Sequence, residues 1–208
     1  MYEQQLKDAR TSSGDIFITV PHRHQFSERW IVSTMLNNKI PFARPIWNFE
    51  TGQPIDLSRN ISVSKALQMG CRYLLFIDSD TLMPPNCLDS LVNARMPIVS
   101  AVYRARGPPH NVIANRAGIP ITMEEVNKAA QLAVPLISVD DVGMGCCLID
   151  TRVFKAIGQT LNEWRCFRNH RGQLPNGKEY YVTDTKTAID NNYRCAFCAG
   201  LIIARFFW

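Results

Sequence analysis

Short runs of consecutive apolar residues alternate along this chain with stretches in which apolar residues recur every three or four positions. The runs at 15–20, 73–77 and 97–103 predict strands that are buried on both faces of a sheet. Ser27 precedes one helical pattern, and residues 58–68 form a second. This alternation of strand and helix predicts an α/β fold with a mixed, mainly parallel sheet flanked by helices.

The second half of the chain continues the alternation with shorter segments. Residues 122–125 are typical of a helix capping box, and 139–149 form an extended segment interrupted by two glycines. A short helix is predicted at 151–157 and a last strand at 194–203. The polar stretch 165–179 is predicted as a loop.

The composition is that of a globular protein with one sizeable core. The 208 residues are 46% hydrophobic and 20% charged, and the seven cysteines lack regular disulfide spacing. The chain has neither a run of 18 apolar residues nor an apolar signal-peptide core, so we expect a cytoplasmic location. The formal charge of +5 favours anionic partners, while the scattered basic residues argue against nucleic-acid binding.

The candidate chemistry lies where the strand at 73–77 runs directly into Asp78, Ser79 and Asp80. Alternate residues of an extended chain project to the same side, so the two carboxylates can converge on one point. In an open α/β sheet, ligands bind at the carboxyl ends of the strands. Two close carboxylates repel each other unless a cation lies between them. The pair therefore predicts a hard divalent ion that carries a phosphorylated ligand.

Three further segments are expected at the same edge of the sheet. The first strand ends at 20–24, Arg59 lies early in the helix before the acidic strand, and Asp141 leads into the glycines of 143–145. Tyr103 is the last residue of the strand predicted at 97–103 and is either a sugar-stacking aromatic or a core residue.

In these segments the chain resembles the GT-A glycosyltransferases, most closely the inverting, family-2-like group. The resemblance rests on three phrases, which are ISVSKALQMGCRYLLFIDSDTLMPPNCLDSLV, VDDVGMGCCLIDTRVFKAIG and YYVTDTKTAIDNNYR. It extends over about residues 15–203. It implies a Rossmann-like GT-A fold in one domain over 1–208, with a nucleotide-binding part at about 15–103 and an acceptor-side part at about 104–208.

The resemblance also implies a reaction and a set of site residues. The reaction is the metal-dependent transfer of a sugar, with inversion, from a nucleoside-diphosphate sugar to a hydroxyl of a carbohydrate, lipid or protein. Asp80 would coordinate Mn²⁺ or Mg²⁺, and Asp78 would contact the ribose or share the metal. Asp184 would be the catalytic base, with Asp141 as the alternative base. The residues that would bind the donor lie at the strand ends; they are Val20, Pro21, Arg23, Arg59, Asp78, Ser79 and Asp80.

The chain departs from the family where many relatives have a histidine after the last strand that binds the metal. Here that place reads Ile203-Ala204-Arg205, and no histidine follows His170. This difference keeps an alternative open, which is a non-catalytic relative that binds a nucleotide sugar or carbohydrate. The hydrophobic stretch 201–208 predicts a closing strand, a peripheral membrane contact or an oligomer contact.

Overall fold

A computed structural model describes residues 16–22, 26–42, 45–52, 55–105, 108–134, 136–156, 169–173, 179–183, 195–202 and 204–205 of the chain. The strands are β1 (Ile16–His22), β2 (Pro45–Thr51), β3 (Tyr73–Ile77), β4 (Thr81–Leu82), β5 (Ile98–Val102), β6 (Ala114–Arg116), β7 (Ile119–Pro120), β8 (Leu136–Val139), β9 (Asp141–Val142), β10 (Cys146–Asp150), β11 (Asn169–Gln173), β12 (Glu179–Thr183), β13 (Cys195–Ile202) and β14 (Ala204–Arg205). The helices are α1 (Glu28–Trp30), which a π-helical segment (Ile31–Leu36) continues, α2 (Ile55–Gln68), α3 (Cys87–Asn93), α4 (Met123–Gln131) and α5 (Arg152–Ala156).

Seven strands form one central sheet in the order β2-β1-β3-β10-β5-β13-β8. The pairs β1/β2, β1/β3 and β5/β13 are parallel, and β10 and β8 are antiparallel to their neighbours. Five of the seven strands therefore run in one direction. This topology confirms the predicted α/β class with a mixed, mainly parallel sheet, and it brings the carboxyl ends of β1, β3 and β5 to the same edge.

Strands β1, β3 and β5 are buried on both faces, as their continuous apolar runs predict. Along β1, Phe17 packs into one core cluster, while Ile16 and Ile18 pack into the other. Along β3, Leu74 and Leu75 divide in the same way. Because successive side chains of a strand point to opposite faces, only uninterrupted apolar runs can fill both clusters.

The helices begin at the caps that the sequence predicts. The Ser27 hydroxyl accepts a hydrogen bond from the Trp30 amide at 3.1 Å, and the Thr122 hydroxyl accepts one from the Glu125 amide at 3.1 Å. Helix α2 ends near Gly70, whose φ of +68° is in the left-handed region that favours glycine. No helix in the described part of the chain is both long and apolar enough to cross a membrane.

The prediction of a loop at 165–179 is wrong for the residues of this stretch that the structure describes. Residues 169–173 form β11, which pairs antiparallel with β12. A two-stranded ribbon is held by main-chain hydrogen bonds and does not need the apolar alternation on which the prediction relied. The predicted final strand is confirmed as β13, which lies between β5 and β8.

Candidate functional site

Asp78 follows the last residue of β3, and three hydrogen bonds hold its main chain. Its amide donates to the Gly145 carbonyl at 3.0 Å, immediately before β10. Its carbonyl accepts hydrogen bonds from the Thr81 amide at 3.0 Å and from the Trp30 indole at 3.2 Å. The main chain of Asp78 is therefore fixed by α1, by its own turn and by the segment before β10.

The side chain of Asp78 faces a buried guanidinium group. Arg59 Nη2 lies 3.7 Å from Asp78 Oδ1, and the two side chains are 9% and 24% exposed. The guanidinium also lies 6.0 Å from the centroid of the Phe76 ring, on β3. The sequence prediction that Arg59 and Asp78 lie at one edge of the sheet agrees with this geometry. The arrangement places one positive charge beside the first carboxylate of the pair.

A polar network fixes the helix that carries Arg59. The Thr19 and Ser62 hydroxyls, both buried, are 2.7 Å apart and join β1 to α2. Asn48 donates to the Thr19 hydroxyl at 3.2 Å, and Lys65 donates to Asn48 at 3.1 Å and to Glu50 at 2.5 Å. Because buried polar groups are costly without partners, these bonds favour one position of α2 on the sheet. That position sets where Arg59 meets Asp78.

Ser79 and Asp80 form the turn after Asp78, and both are half-buried. The next residue, Thr81, begins β4, which pairs antiparallel with β14. The Thr81 hydroxyl oxygen is buried, and it has no hydrogen-bond partner among the described residues. The pairing brings the main chain of Arg205 opposite Thr81, one residue from Asp80. The closing strand that was one of the predicted alternatives for the C-terminal stretch is thus present at 204–205.

Two side chains contact the segment 143–145, one from Ser100 in β5 and one from Tyr103 directly after β5. Ser100 Oγ lies 3.1 Å from the carbonyl oxygens of both Gly143 and Cys146. The Tyr103 hydroxyl accepts a hydrogen bond from the Gly145 amide at 2.6 Å. Tyr103 is 1% exposed, so it is a core residue. Sequence reasoning missed its role in the site.

The end of β1 carries an aromatic cluster beside the acidic turn. The Phe26 ring lies 4.6 Å from His22, 4.7 Å from Trp30 and 5.4 Å from Phe49. Phe49 is 40% exposed, whereas Trp30 is completely buried. Of the first-strand residues predicted to meet a nucleoside, Val20 is completely buried and Pro21 is half-buried. Arg23 lies outside the described residues.

Asp141 lies in a small second sheet rather than at the end of a central strand. It begins β9, which pairs with β6, and its Oδ1 accepts a hydrogen bond from the Asn115 side chain at 2.6 Å. The chain then continues through the segment that contacts Asp78. Asp184, the other predicted base, lies outside the described residues, directly after β12.

Two buried thiols lie beneath the acidic turn. Cys87 Sγ and Cys146 Sγ are 3.6 Å apart, and both are free cysteines. The hydrogen bond with Cys87, burial and the nearby Asp78 carboxylate all raise the pKa of the Cys146 thiol. The thiol therefore remains protonated at neutral pH, which disfavours it as a metal ligand.

The residues of the turn fit a hard divalent cation that is shared with a ligand. Asp78 and Asp80 supply carboxylate oxygens, and within the described residues no group of three or more histidine, cysteine or acidic side chains converges. Mg²⁺ in proteins is commonly held by one or two carboxylates, with phosphate oxygens and water completing its shell. The described donor set matches that kind of site, and it does not match an all-protein cage.

Comparison with solved structures shows that the α/β fold of this chain is shared with proteins of low sequence identity. A197 from STIV has a TM-score of 0.62 at 14% identity, and the similarity covers 93% of this chain and 86% of that one. GalNAc-T7, crystallised with UDP, GalNAc and Mn²⁺, has a TM-score of 0.56 at 8% identity. This second similarity covers 93% of the present chain and only 44% of GalNAc-T7. No family model matches the chain, and no curated protein matches it in sequence. At these identities the likeness shows the fold alone.

Proposed function

We propose that the protein is a metal-dependent glycosyltransferase that moves a sugar from a nucleoside-diphosphate sugar to a hydroxyl acceptor, with inversion. The observation that carries the proposal is the Asp78–Asp80 turn at the carboxyl edge of the sheet, with Arg59 only 3.7 Å from Asp78. Carboxylates and a cationic side chain at this edge are what a metal-bound diphosphate requires. The fold that the chain shares with a GalNAc transferase supports the same reading.

The chain's own residues divide the work of the proposed reaction. Asp80 and Asp78 would hold Mn²⁺ or Mg²⁺, which when bound stabilises the charge that grows on the leaving diphosphate. Arg59 would add a fixed positive charge beside the same phosphate oxygens. Its burial and the polar network under α2 keep that charge in place without reorganisation when the donor binds.

The acceptor hydroxyl needs a base, and two carboxylates are candidates. Asp184 remains the proposed base because the resemblance assigns it that role. Asp141 is the alternative, since its chain leads directly into the segment that contacts Asp78. Proton removal by a positioned carboxylate typically accelerates such a step about 10²–10⁴-fold. Attack on the side opposite the leaving group would then invert the anomeric centre.

The test of the proposal is turnover of nucleotide sugars by the whole chain in the presence of Mn²⁺. Asp80→Ala is expected to abolish this turnover while leaving the unfolding transition in place, because Asp80 is a half-buried turn residue. Glu124→Ala, which removes an exposed carboxylate from α4, is the matched control and is expected to keep full activity. Full activity of Asp80→Ala would contradict the proposed role of the carboxylate.

A second function is kept open by the sequence, because no histidine follows His170 to complete the metal site. A binding protein of this fold would hold a nucleotide sugar or carbohydrate without transferring it. Calorimetry with UDP and GDP plus Mn²⁺, followed by a donor-hydrolysis assay, separates the two functions. Tight binding without hydrolysis or transfer would favour the binding protein.

A further inference from the structure

We propose that Tyr103 is a positioning residue for the acidic turn, and that it acts through Gly145. Tyr103 lies directly after β5, two strands away from β3 in the sheet. Its hydroxyl accepts the Gly145 amide proton at 2.6 Å, and the Gly145 carbonyl accepts the Asp78 amide proton at 3.0 Å. The Tyr103 hydroxyl therefore fixes the residue that in turn fixes the main chain of Asp78. That this turn binds metal and diphosphate rests on the proposed function.

The residues around the contact between Tyr103 and Gly145 hold it in place. Tyr103 is 1% exposed, and its own carbonyl accepts a hydrogen bond from the Ile113 amide at 3.1 Å. Ser100, completely buried on the same strand, lies 3.1 Å from the carbonyl oxygens on either side of Met144 and Gly145. The Ser100 hydroxyl can thus donate to a carbonyl on one side of the segment, while the Tyr103 hydroxyl accepts the Gly145 amide. These contacts therefore fix the position of the Gly145 carbonyl, which accepts the Asp78 amide.

The glycine at 143 is required by the same contact. A Cβ atom there would lie 1.9 Å from the Tyr103 hydroxyl and 2.7 Å from Ile113 Cγ2. Gly143 does not have a positive φ, so the position needs a glycine for space rather than for backbone freedom. The first glycine of the Gly-Met-Gly pattern is thereby explained by the close approach of the Tyr103 hydroxyl.

The consequence of this arrangement is that the hydroxyl controls metal binding without touching the metal. The two carboxylates must converge within a small tolerance to share one ion, and the Asp78 main chain sets where its carboxylate begins. Loss of the hydroxyl would leave the Gly145 amide without its acceptor and would loosen the turn. Outer residues that orient metal ligands typically change metal affinity by about 10–100-fold when they are removed.

The test uses Tyr103→Phe in the full chain, with Tyr73→Phe as the matched control. Tyr73 begins β3, at the end of the strand opposite to Asp78. Amide hydrogen exchange is measured by NMR at Gly145 and Asp78 without ligands. We expect faster exchange at both amides in Tyr103→Phe and wild-type exchange in Tyr73→Phe. Unchanged protection of both amides in Tyr103→Phe would overturn the proposal.

A second readout separates positioning from stability alone. Mn²⁺ is titrated at fixed UDP or GDP, and the metal concentration that supports half-maximal nucleotide binding is expected to rise about 10–100-fold in Tyr103→Phe. A purely structural tyrosine would lower the melting temperature and leave this midpoint unchanged, which would overturn the proposed role. Absence of nucleotide binding by the wild-type chain would contradict the proposed function, while the exchange experiment would still decide the contact itself.

Gly143→Ala provides an independent route to the same hydroxyl. The added methyl group is expected to displace the Tyr103 ring and to raise the Mn²⁺ midpoint in the same direction. The double variant with Tyr103→Phe is expected to show less than the product of the two separate fold-changes, because both variants break one contact. A fold-change in the double variant equal to the product of the two separate fold-changes would show that the two residues act independently. It would overturn the proposal that Tyr103 acts through Gly145.

Discussion

Asp78 and Asp150 lie at opposite ends of the same strand pair, and their surroundings differ in kind. Asp150 ends β10 opposite Tyr73, and its side chain accepts hydrogen bonds from Arg72 Nε at 2.9 Å and from Arg152 Nη2 at 2.7 Å. It also accepts the Arg152 amide at 3.0 Å, which caps α5. Asp78 faces its arginine at 3.7 Å and keeps 24% of its side chain exposed, against 7% for Asp150.

The difference distinguishes a structural carboxylate from one that remains accessible to a ligand. The Asp150 oxygens are consumed by two arginines and a helix start, so they join β3, β10 and α5. Around Asp78, the main chain makes close hydrogen bonds, and the carboxylate lies 3.7 Å from the Arg59 guanidinium. The Asp150 carboxylate thus supports the fold, whereas the more exposed Asp78 carboxylate is the one to which the proposed function assigns ligand binding.

The sharpest way to break this comparison is to neutralise each carboxylate in turn. Asp78→Asn is expected to reduce Mn²⁺-dependent turnover by about 100-fold or more, because a metal ion typically contributes several kcal/mol to such a step. Asp150→Asn is expected to leave turnover near the wild-type level and to lower the free energy of unfolding by about 1–2 kcal/mol. Kinetics and urea unfolding of both variants check the two expectations. A loss of turnover in Asp150→Asn together with a loss of stability alone in Asp78→Asn would contradict the different roles of the two carboxylates.

Gly143→Ala is expected to have the next largest effect, on stability as well as on the site. The new methyl group would overlap the Tyr103 hydroxyl and the Ile113 side chain. Overpacking of this kind typically costs about 1–3 kcal/mol. Urea unfolding measures the loss. A Gly143→Ala variant as stable as the wild type would show that the segment can move away from Tyr103.

The pH dependence of stability provides a third test. Burial raises the pKa of Asp150, but the hydrogen bonds from Arg152 and Arg72 outweigh it and hold the pKa below its ordinary value. A carboxylate with a depressed folded pKa stabilises the protein above its unfolded pKa, near 3.9, and loses that contribution as the pH falls through the folded value. The difference in unfolding free energy between wild type and Asp150→Asn should therefore shrink below about pH 4. A difference that stays constant across this range would contradict the assignment.

The smallest effect is expected at Thr81, beside the acidic turn. Its buried hydroxyl has no partner among the described residues, and valine has nearly the same shape. Thr81→Val is therefore expected to be neutral or to stabilise the protein by up to about 1 kcal/mol, because an unsatisfied buried polar group is removed. Thermal unfolding checks this expectation. A clear loss of stability would contradict it.

Local signals predicted the parts of the fold that depend on neighbouring residues. The apolar run at 73–77, the Ser27 cap and the Thr122 cap each involve residues within a few positions of one another. The position of the Asp78 turn at a strand end followed from the same patterns. The strand at 169–173 was missed because its polar sequence carries no periodic apolar signal.

The contacts that hold the turn could not be predicted, since they join residues that are distant along the chain. The Tyr103–Gly145 bond spans 42 positions and the Trp30–Asp78 bond spans 48. Such contacts depend on the strand order and register, which no local pattern specifies. The role of Asp150 had a local signal, because an acidic residue two positions before a helix amide is a common cap.

The central claim is tested most directly by calorimetry of UDP and GDP binding, with and without Mn²⁺, to the wild-type chain and to Asp80→Asn. The account predicts that one nucleoside diphosphate binds the wild type only when Mn²⁺ is present, and that Asp80→Asn loses this metal dependence together with the tight binding. Equal binding with and without Mn²⁺, or tight Mn²⁺-dependent binding that survives in Asp80→Asn, would contradict it.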